Sequence, residues 1–516
     1  MFMINPHPNI TDPAEPADPN DPTDPTDLLS KLDQSLFTRR HAVIYGTLLA
    51  GHFLDGFVIN LTGVVLPGVV KTFHISTQQA GFLSSALFLG MLVGAAVAGL
   101  VSDRLGRKFP LAVCLLVFAA FSLLAAFSWD YSSLVTARIC QGVGLGAEIA
   151  VVLPYITEFV PSRHRAPLVT TATAAWLIGL PVAALVGTAV VPSLTWRAMF
   201  VIGTVPVVVS VVMMATLPES VRYLLRTGRH EAARKVVGGL AVASPAGSAP
   251  VSPAGSTAVS AERTAPVAPA VSTPTPEPDI HQKSAGSVRK LLDASRLRYT
   301  VSLWFMEICA GAFLYGLSTW LPSILEKKGV SVVGSFTYTA IITASGVVGA
   351  IIAGHIVNRV GRRTTIGFSF LLSGVLCLGW GSVSSTTAVL VLGSLATFFG
   401  SGFAGSTLFV YASELYPTIN RATGLGWAAA FQKVGGLIIP TVIGWVIAVH
   451  SSNFLFFVLF AVISVLAGIS GLVATFETRG RTIEQISAEL SRQARVSRSP
   501  VPEFGTAYEK EQAGEG

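Results

Sequence analysis

The stretch Gly99–Lys108, Gly-Leu-Val-Ser-Asp-Arg-Leu-Gly-Arg-Lys, lies between two apolar segments that are each long enough to cross a membrane. Its glycines allow a tight reversal of the chain, and its basic residues suit a loop at a membrane surface. The same pattern returns at Gly354–Arg363, Gly-His-Ile-Val-Asn-Arg-Val-Gly-Arg-Arg, at an offset of 354 − 99 = 255 residues. The sequence therefore predicts two copies of one membrane unit.

The composition also indicates a membrane protein. Apolar residues make up 51% of the 516 residues and charged residues only 12%, about half the share in soluble proteins. The net charge of +7 comes from short loops between apolar segments, which is typical of loops on the cytoplasmic side of a membrane. We therefore expect a lipid bilayer as the surroundings and no nucleic acid as a partner.

Twelve apolar segments of about 20 residues are predicted to be transmembrane helices, numbered span 1 to span 12. They lie near 43–67, 80–101, 110–128, 133–155, 167–191, 197–216, 300–321, 336–357, 364–383, 387–411, 423–448 and 454–475. The predicted fold is an all-α polytopic membrane protein with two pseudo-symmetric six-helix halves, residues 41–217 and 299–476.

Three segments lie outside the two halves. Residues 1–40 form an acidic, proline-rich tail that is predicted to be disordered. The loop 218–298 is predicted to contain a basic amphipathic helix around Glu219–Val237, an Ala/Ser/Pro/Thr linker at 241–285 and a short helix near 286–298. Residues 477–516 form a polar tail.

The distribution of basic residues predicts the orientation. The loops after spans 2, 4 and 8 carry the largest basic clusters, namely Arg104, Arg107 and Lys108, then Arg163 and Arg165, then Arg359, Arg362 and Arg363. The loops on the opposite side carry fewer charges. We therefore expect both termini to be cytoplasmic in a multi-pass protein of the plasma (inner) membrane.

The duplicated loop resembles the signature loop of the major facilitator superfamily, and the resemblance covers roughly residues 40–480. A second duplicated element, Glu158-x-x-Pro161-x-x-x-Arg165, recurs as Glu414-x-x-Pro417-x-x-x-Arg421 at an offset of 256 residues. The superfamily resemblance implies a secondary transporter that works by alternating access. It also implies a monomer.

Other motifs resemble two branches of that superfamily. Pro218-Glu219-Ser220 and Glu477-Thr478-Arg479-Gly480 are similar to sugar-porter signatures, although Phe476 stands where those transporters carry proline. Asp55-Gly56-Phe57 in span 1 and the end of span 7 look more like bacterial metabolite:proton and aromatic-acid:proton symporters.

The resemblance implies a gate at the cytoplasmic side. In the superfamily, such charges latch the two halves together and separate when the protein opens inward. The residues that match this network are Gly99, Asp103, Arg104, Gly106, Arg107, Lys108, Glu158, Arg165, Arg359, Gly361, Arg362, Arg363, Glu414 and Arg421. The alternative is that the arginines only fix the topology.

Charges inside spans point to function, because each costs about 2.5–3.5 kcal/mol at the centre of a bilayer on insertion scales. Asp55 in span 1 and Arg138 in span 4 are predicted to lie at similar depths and to pair. Similar symporters couple proton entry through an acid and an arginine at these positions. The alternative is a static salt bridge that only stabilises the bundle.

Three further charges and one amide are predicted to line the central cavity. Lys433, preceded by Gln432 near the middle of span 11, is a candidate for binding a substrate carboxylate, and the alternative is a pair with Glu307 of span 7 or with another buried acid. Glu307 is predicted to face the cavity. Glu148 of span 4 either lines the cavity or joins the cytoplasmic charges.

The favoured function is proton-driven uptake of an organic acid, an aromatic acid or a sugar-like solute. Efflux of a drug or metabolite by proton antiport is the alternative within transporters, and a non-transporting sensor is the alternative outside them. The sequence contains no Walker motif or metal-binding motif, so we expect no enzyme activity and no cofactor besides the proton gradient. The cysteines Cys114, Cys140, Cys309 and Cys377 all fall in spans and are predicted to serve in packing.

Overall fold

The computed structural model describes residues 25–240, 291–293, 295–449 and 454–481, together with 485, 486, 489, 490 and 492. The predicted linker at 241–285, the start of the short helix near 286 and most of both predicted tails lie outside the described residues.

The prediction of twelve membrane-spanning helices is confirmed, since twelve helical segments of the described chain are long and apolar enough to cross a membrane. The observed spans keep the numbers of the predicted ones. Their bounds are Arg39–Phe73, Thr77–Ala98, Lys108–Ala126, Tyr131–Phe159, Pro167–Ser193, Trp196–Thr216, Leu297–Lys327, Val332–Val360, Arg362–Ser382, Thr386–Leu415, Thr423–Val449 and Phe454–Ala474. The helices that contain spans 2, 5 and 11 run over Thr77–Leu105, Ser162–Ser193 and Thr418–Val449.

Two spans are not single α-helices. Span 6 consists of the helices Trp196–Ile202 and Pro206–Thr216, and proline at the start of the second helix suits a position where a backbone N–H is not needed. Span 10 consists of Thr386–Thr397 and Ser406–Leu415 joined by the π-helical segment Phe398–Gly405. A π-segment shifts the register of a helix and is frequent at functional sites.

The packing of the spans repeats in the two halves. Spans 1 and 5, 2 and 4, and 3 and 6 pack in the first half, and spans 7 and 11, 8 and 10, and 9 and 12 pack in the second. Between the halves, span 2 packs on span 11 and span 5 on span 8, while span 1 packs on span 7. A two-fold arrangement of this kind places one cavity at the interface of the halves.

The end of the bundle that carries the loops at Gly106 and Gly361 is called the motif end, and the opposite end is called the far end. The predicted disorder of residues 1–40 is wrong for its last part, because Pro25–Gln34 is a helix at the motif end. Its buried Leu28 and Leu32 belong to the core of the first half, and burial of these side chains offsets the cost of ordering the segment.

The amphipathic helix predicted around Glu219–Val237 is two short helices, Val221–Arg226 and His230–Leu240. They are separated at Gly228, whose φ of +72° is a left-handed conformation that glycine adopts without strain. Both helices pack against Pro25–Gln34. Together the three helices form a small layer on the first half at the motif end.

At the far end the two halves are in close contact. A methyl group on Gly81 of span 2 would lie 2.5 Å from the carbonyl oxygen of Pro440, and one on Gly444 of span 11 would lie 2.5 Å from that of Thr77. Ser85 and Thr441 hydrogen bond across the same interface at 2.8 Å. An ion pair of 3.6 Å between Lys71 of span 1 and Glu326 of span 7 also joins the halves there. The far end is therefore closed in this conformation.

This contact predicts a cross-link. In a variant without the four native cysteines, Ser85→Cys with Thr441→Cys is expected to form a disulfide, since side chains whose oxygens are 2.8 Å apart bring their β-carbons near the separation that a disulfide needs. The measurement is cleavage at a protease site inserted into 241–285, after which the two halves migrate together until a reductant is added.

The matched control is Ser84→Cys with Thr441→Cys, because Ser84 is bonded to Ala80 of its own helix and points in a different direction. If the halves of the first variant separate as readily as those of the control, the far end is not closed as described.

Candidate functional site

The charges of the first half at the motif end form a compact network. Glu219, which follows span 6, accepts hydrogen bonds from the backbone N–H groups of Arg107 and Lys108 at 2.7 and 3.3 Å. Arg107 pairs through Nε with Glu158 of span 4 at 3.4 Å, and Ser220 donates a hydrogen bond to the same carboxylate at 2.5 Å. The two carboxylates thus hold the start of span 3, where the N–H groups of a helix lack partners.

The second half repeats this network at corresponding positions. Glu477, which follows span 12, accepts hydrogen bonds from the backbone N–H groups of Arg362 and Arg363 at 2.9 and 3.1 Å. The Arg362 guanidinium binds Glu414 with two hydrogen bonds of 2.9 and 2.7 Å, and Thr478 donates to the same carboxylate at 2.6 Å. A bidentate pair of this kind is strong and fixes its geometry.

The glycines before spans 3 and 9 make room for these carboxylates. Gly106 and Gly361 have φ values of +87° and +103°. A methyl group on Gly106 would lie 2.7 Å from the Glu219 carboxylate, and one on Gly361 would lie 2.6 Å from that of Glu477. Glycine is therefore required both for the backbone conformation and for the close approach.

In this conformation Arg107 and Arg362 do not latch the two halves together, and the latch stays a prediction for the conformation closed at the motif end. Arg107 and Arg362 bind acids of their own halves, because spans 3 and 4 and spans 9 and 10 bring their ends together within each half. Arg104 and Arg359 are exposed, and Arg421 is partly buried. The side chains of Asp103 and Arg165 lie outside the described part of the chain.

The predicted pair of Asp55 and Arg138 is also not formed in this conformation. Arg138 is buried and donates hydrogen bonds to Gln141 at 2.6 Å and to Thr62 of span 1. Thr62 follows Asp55 by seven residues, which is about 10 Å along a helix. The depth estimated from the sequence therefore placed Arg138 about two turns too near Asp55.

Asp55 instead meets Glu148, which is ten residues beyond Arg138 on span 4. One carboxylate oxygen from each acid and one ring nitrogen of His52 lie within 4.8 Å of one another, and all three residues are buried. The His52 Nδ1 atom lies 3.3 Å from Asp55 Oδ2. The other Asp55 oxygen and both Glu148 oxygens accept no hydrogen bond from the part of the chain that the structure describes. Glu148 thus belongs with Asp55 rather than with the cytoplasmic charges.

A second polar cluster lies on spans 7 and 11. Lys433 donates hydrogen bonds to the Tyr315 hydroxyl at 2.7 Å and to Gln432 Oε1 at 3.2 Å. Gln432 donates in turn to the buried carboxylate of Glu307 at 3.4 Å. The alternative of a direct Lys433–Glu307 pair is therefore wrong for this conformation, since Gln432 lies between them. Lys433, Gln432 and Glu307 lie together in this cluster, and their role in substrate binding stays a prediction.

Aromatic rings surround the Lys433 ammonium group. Its Nζ lies 5.2 Å from the centre of the Tyr315 ring and 5.7 Å from that of Trp176 on span 5, which are distances for cation–π interactions. Tyr315 also contacts Phe88 of span 2, with 4.6 Å between ring centres. The cluster therefore includes residues from both halves.

A small apolar cavity lies beside this cluster, between spans 5, 7, 8 and 10. Leu177 and Leu180 follow Trp176 on span 5, and Leu314 precedes Tyr315 on span 7. The cavity is also lined by Phe313, Leu317, Ser318, Thr343, Gly346, Thr397 and Ser401. Thr397 and Ser401 flank the start of the π-segment of span 10, which positions them here.

The sequence analysis assigns no functional role to several residues of these sites, among them Glu219, Glu477, His52 and Tyr315. Glu219 and Glu477 stood in recognised motifs, and their shared offset of 477 − 219 = 258 residues was a signal for paired roles. The spacing of three residues between His52 and Asp55, about one turn of helix, was a signal that their side chains could be in contact. No pattern in the sequence placed Tyr315 against Lys433.

The family model described as Major Facilitator Superfamily matches residues 48–440, with a second match over 339–506. Among curated proteins, the chain is 29% identical over 459 residues to the niacin transporter NiaP of Acinetobacter baylyi, a match that covers 89% of this chain and 99% of that protein. It is 26% identical over 472 residues to a benzoate transport protein of the same organism, covering 88% of this chain and 93% of that protein.

Among solved structures, the crystal structure of a D-xylose-proton symporter matches with a TM-score of 0.66 and 18% identity. The match covers 85% of this chain and 99% of that chain. At this identity the likeness concerns the fold alone, and it agrees with the packing of two six-helix halves described above.

The duplicated networks predict matched effects on stability. Glu219→Ala and Glu477→Ala each remove a carboxylate that accepts hydrogen bonds from two backbone N–H groups, and each loss is expected to cost about 2 kcal/mol. The measurement is the apparent unfolding temperature of the purified protein in detergent, which should fall by several degrees in both variants.

The control is Glu231→Ala in the exposed first turn of His230–Leu240, which should leave the unfolding temperature unchanged. Equal unfolding temperatures for all three variants and the wild type would show that the two networks do not stabilise the motif end.

Proposed function

The chain belongs to the Major Facilitator Superfamily and is a transporter rather than an enzyme, and we propose that it carries an aromatic monocarboxylate into the cell together with a proton. The observation that supports this most directly is the Lys433 ammonium group, held at the interface of the two halves among Tyr315, Gln432 and Trp176. A membrane-embedded cation with aromatic neighbours is suited to an anion that carries a ring.

The hydrogen bonds of Lys433 support a substrate that carries a carboxylate. An ammonium group has three N–H donors, and two of those of Lys433 bind Tyr315 and Gln432 within the described chain. One donor is therefore available to a ligand. The Glu307 carboxylate lies behind Gln432 rather than on the ammonium group, so a substrate does not have to displace a direct ion pair.

The surroundings of Lys433 support a substrate that carries an aromatic ring. Trp176, Tyr315 and Phe88 present aromatic surfaces, and half of the residues that line the neighbouring cavity are leucine or phenylalanine. A sugar needs many hydrogen-bonding partners, whereas a flat ring needs apolar contact and one polar anchor. Niacin and benzoate, named in two relatives, are each an aromatic ring with one carboxylate. We therefore favour an aromatic acid over a sugar-like solute.

We propose that Asp55 accepts the coupled proton. It is fully buried in span 1, and it lies beside a second buried carboxylate, that of Glu148. Pairing of Asp55 with Arg138 stays a prediction for the conformation in which the far end opens, since here Arg138 binds Thr62.

The proposal includes an orientation. In this orientation the motif end is cytoplasmic, with both termini on that side of the inner membrane, and the basic loops at Gly106 and Gly361 support it. Because the far end is closed by contacts such as Ser85–Thr441, the described conformation faces the cytoplasm, from which the substrate would leave the site. The transporter acts as a monomer in this proposal.

Nicotinate and nicotinamide test whether the site requires a substrate carboxylate, because nicotinamide carries a neutral amide in place of that carboxylate. Wild-type protein is expected to bind nicotinate or benzoate at least tenfold more tightly than the corresponding amide, the gain expected for a hydrogen bond to a charged group. Lys433→Gln should lose that preference and leave amide binding unchanged. The measurement is isothermal titration calorimetry in detergent.

The control is Lys235→Gln, which alters an exposed lysine in the helix His230–Leu240. Equal affinity of the wild type for acid and amide would contradict the proposed substrate class, whatever the behaviour of the variant.

Transport in proteoliposomes tests the coupling. With an inward proton gradient, the wild type is expected to accumulate benzoate or nicotinate against its concentration gradient. Asp55→Asn should abolish the accumulation and retain exchange of labelled for unlabelled substrate, because the amide cannot carry a proton. Accumulation by Asp55→Asn at the wild-type level would exclude Asp55 as the proton acceptor. Proton-driven export of the substrate from the proteoliposomes, in place of accumulation, would favour efflux.

A further inference from the structure

We infer that Asp55 and Glu148 act as one proton-binding unit, in which the two carboxylates share a single proton. The inference deepens the proposed function and rests on it, since it concerns how the same transporter binds its coupling proton. It assigns to Glu148 a part in proton binding, and it replaces the cation expected beside Asp55 with a second acid.

The first argument is the lack of a hydrogen-bond donor between the two acids. Both residues are fully buried, and an oxygen of each lies within 4.8 Å of the other and of the His52 ring. Ionised carboxylates only accept hydrogen bonds. Three of the four oxygens receive none from the described residues, and a buried acceptor without a donor is costly. A proton on one carboxylate supplies the donor that the other lacks.

The second argument is the charge of the surroundings. His52 approaches only one oxygen of Asp55. From span 3, the Cys114 thiol is a titratable neighbour of the two acids. Lys433 of span 11 acts on Asp55 electrostatically, but its ammonium group bonds to Tyr315 and Gln432 instead. Two adjacent buried carboxylates without a directly bound cation cannot both be ionised at low cost.

His52 is the positioning residue of the pair. Its Nδ1 lies 3.3 Å from Asp55 Oδ2, one helical turn away on the same span. This contact holds the aspartate beside Glu148 and leaves its other oxygen without a donor from the described residues. The pair joins span 1 to span 4 within the first half, so its proton is held on the half opposite Lys433.

Replacing either carboxylate of the pair by an amide tests the inference. Glu148→Gln places a permanent N–H donor opposite Asp55, with the same net charge as the singly protonated pair, and therefore imitates the proton-loaded state. We expect this variant to exchange labelled for unlabelled benzoate at a rate near that of the wild type, independent of pH, and to lose accumulation driven by a proton gradient. Asp55→Asn should behave in the same way.

The exchanged pair Asp55→Glu/Glu148→Asp is the rescue variant, because it retains two carboxylates of the same total length. It should regain accumulation in a proteoliposome assay that Glu148→Gln fails. The matched control is Glu231→Gln, which alters an exposed acid in the helix His230–Leu240.

The outcomes separate the two proposals. If the wild type exchanges benzoate but a proton gradient does not drive its accumulation, the proposed symport is wrong. If the wild type accumulates benzoate and Glu148→Gln does so equally well, symport stands and the shared proton is excluded. Loss of exchange in Glu148→Gln with retained folding, judged by size-exclusion chromatography, also excludes it, since the amide would then not imitate the loaded pair.

Discussion

The structure depends on one constraint, that a charge inside the bundle needs a partner because the bilayer supplies no water. An unpaired charge at the centre of a bilayer costs about 2.5–3.5 kcal/mol even on the mildest scales. In the described chain, the buried charges accordingly collect where polar groups from different spans meet. Arg138 binds Thr62 and Gln141, Glu307 binds Gln432, and Asp55 meets His52 and Glu148. These contacts hold the spans of each half in register with one another.

The motif end solves a different problem with the same groups. The first N–H groups of a helix have no partner within it. Spans 3 and 9 both begin directly after a tight turn, so these N–H groups need acceptors from elsewhere in the chain. Glu219 and Glu477 accept them, and Gly106 and Gly361 leave the space that each carboxylate needs. The duplication of the chain is therefore visible in its chemistry as well as in its helix packing. Each half is braced independently, so the halves can move as rigid bodies.

The sequence predicts the spans well because their length and apolarity are imposed by the bilayer, and it predicts the basic loops because they recur. It fails where the outcome depends on how far one helix has slid along its neighbour. Counting residues from the ends of the spans brought Asp55 level with Arg138, whereas the observed span 1 extends from Arg39 to Phe73 and its aspartate meets Glu148. Lys433 contacts polar groups because a lysine in mid-span needs hydrogen-bond partners whatever the register, and its role in substrate binding stays a prediction.

Lys433 and the Asp55–Glu148 pair lie on opposite halves, and their charges make them interdependent. The positive charge of Lys433 stabilises an ionised Asp55 across the interface. In the proposed cycle, a substrate carboxylate bound to Lys433 offsets that positive charge, so the acid pair then holds its proton more firmly. Linkage requires the converse, that a protonated pair leaves Lys433 more favourable for an anion. A carrier built in this way takes up its anion and its proton together without any direct contact between them, and it moves no net charge when one of each is carried.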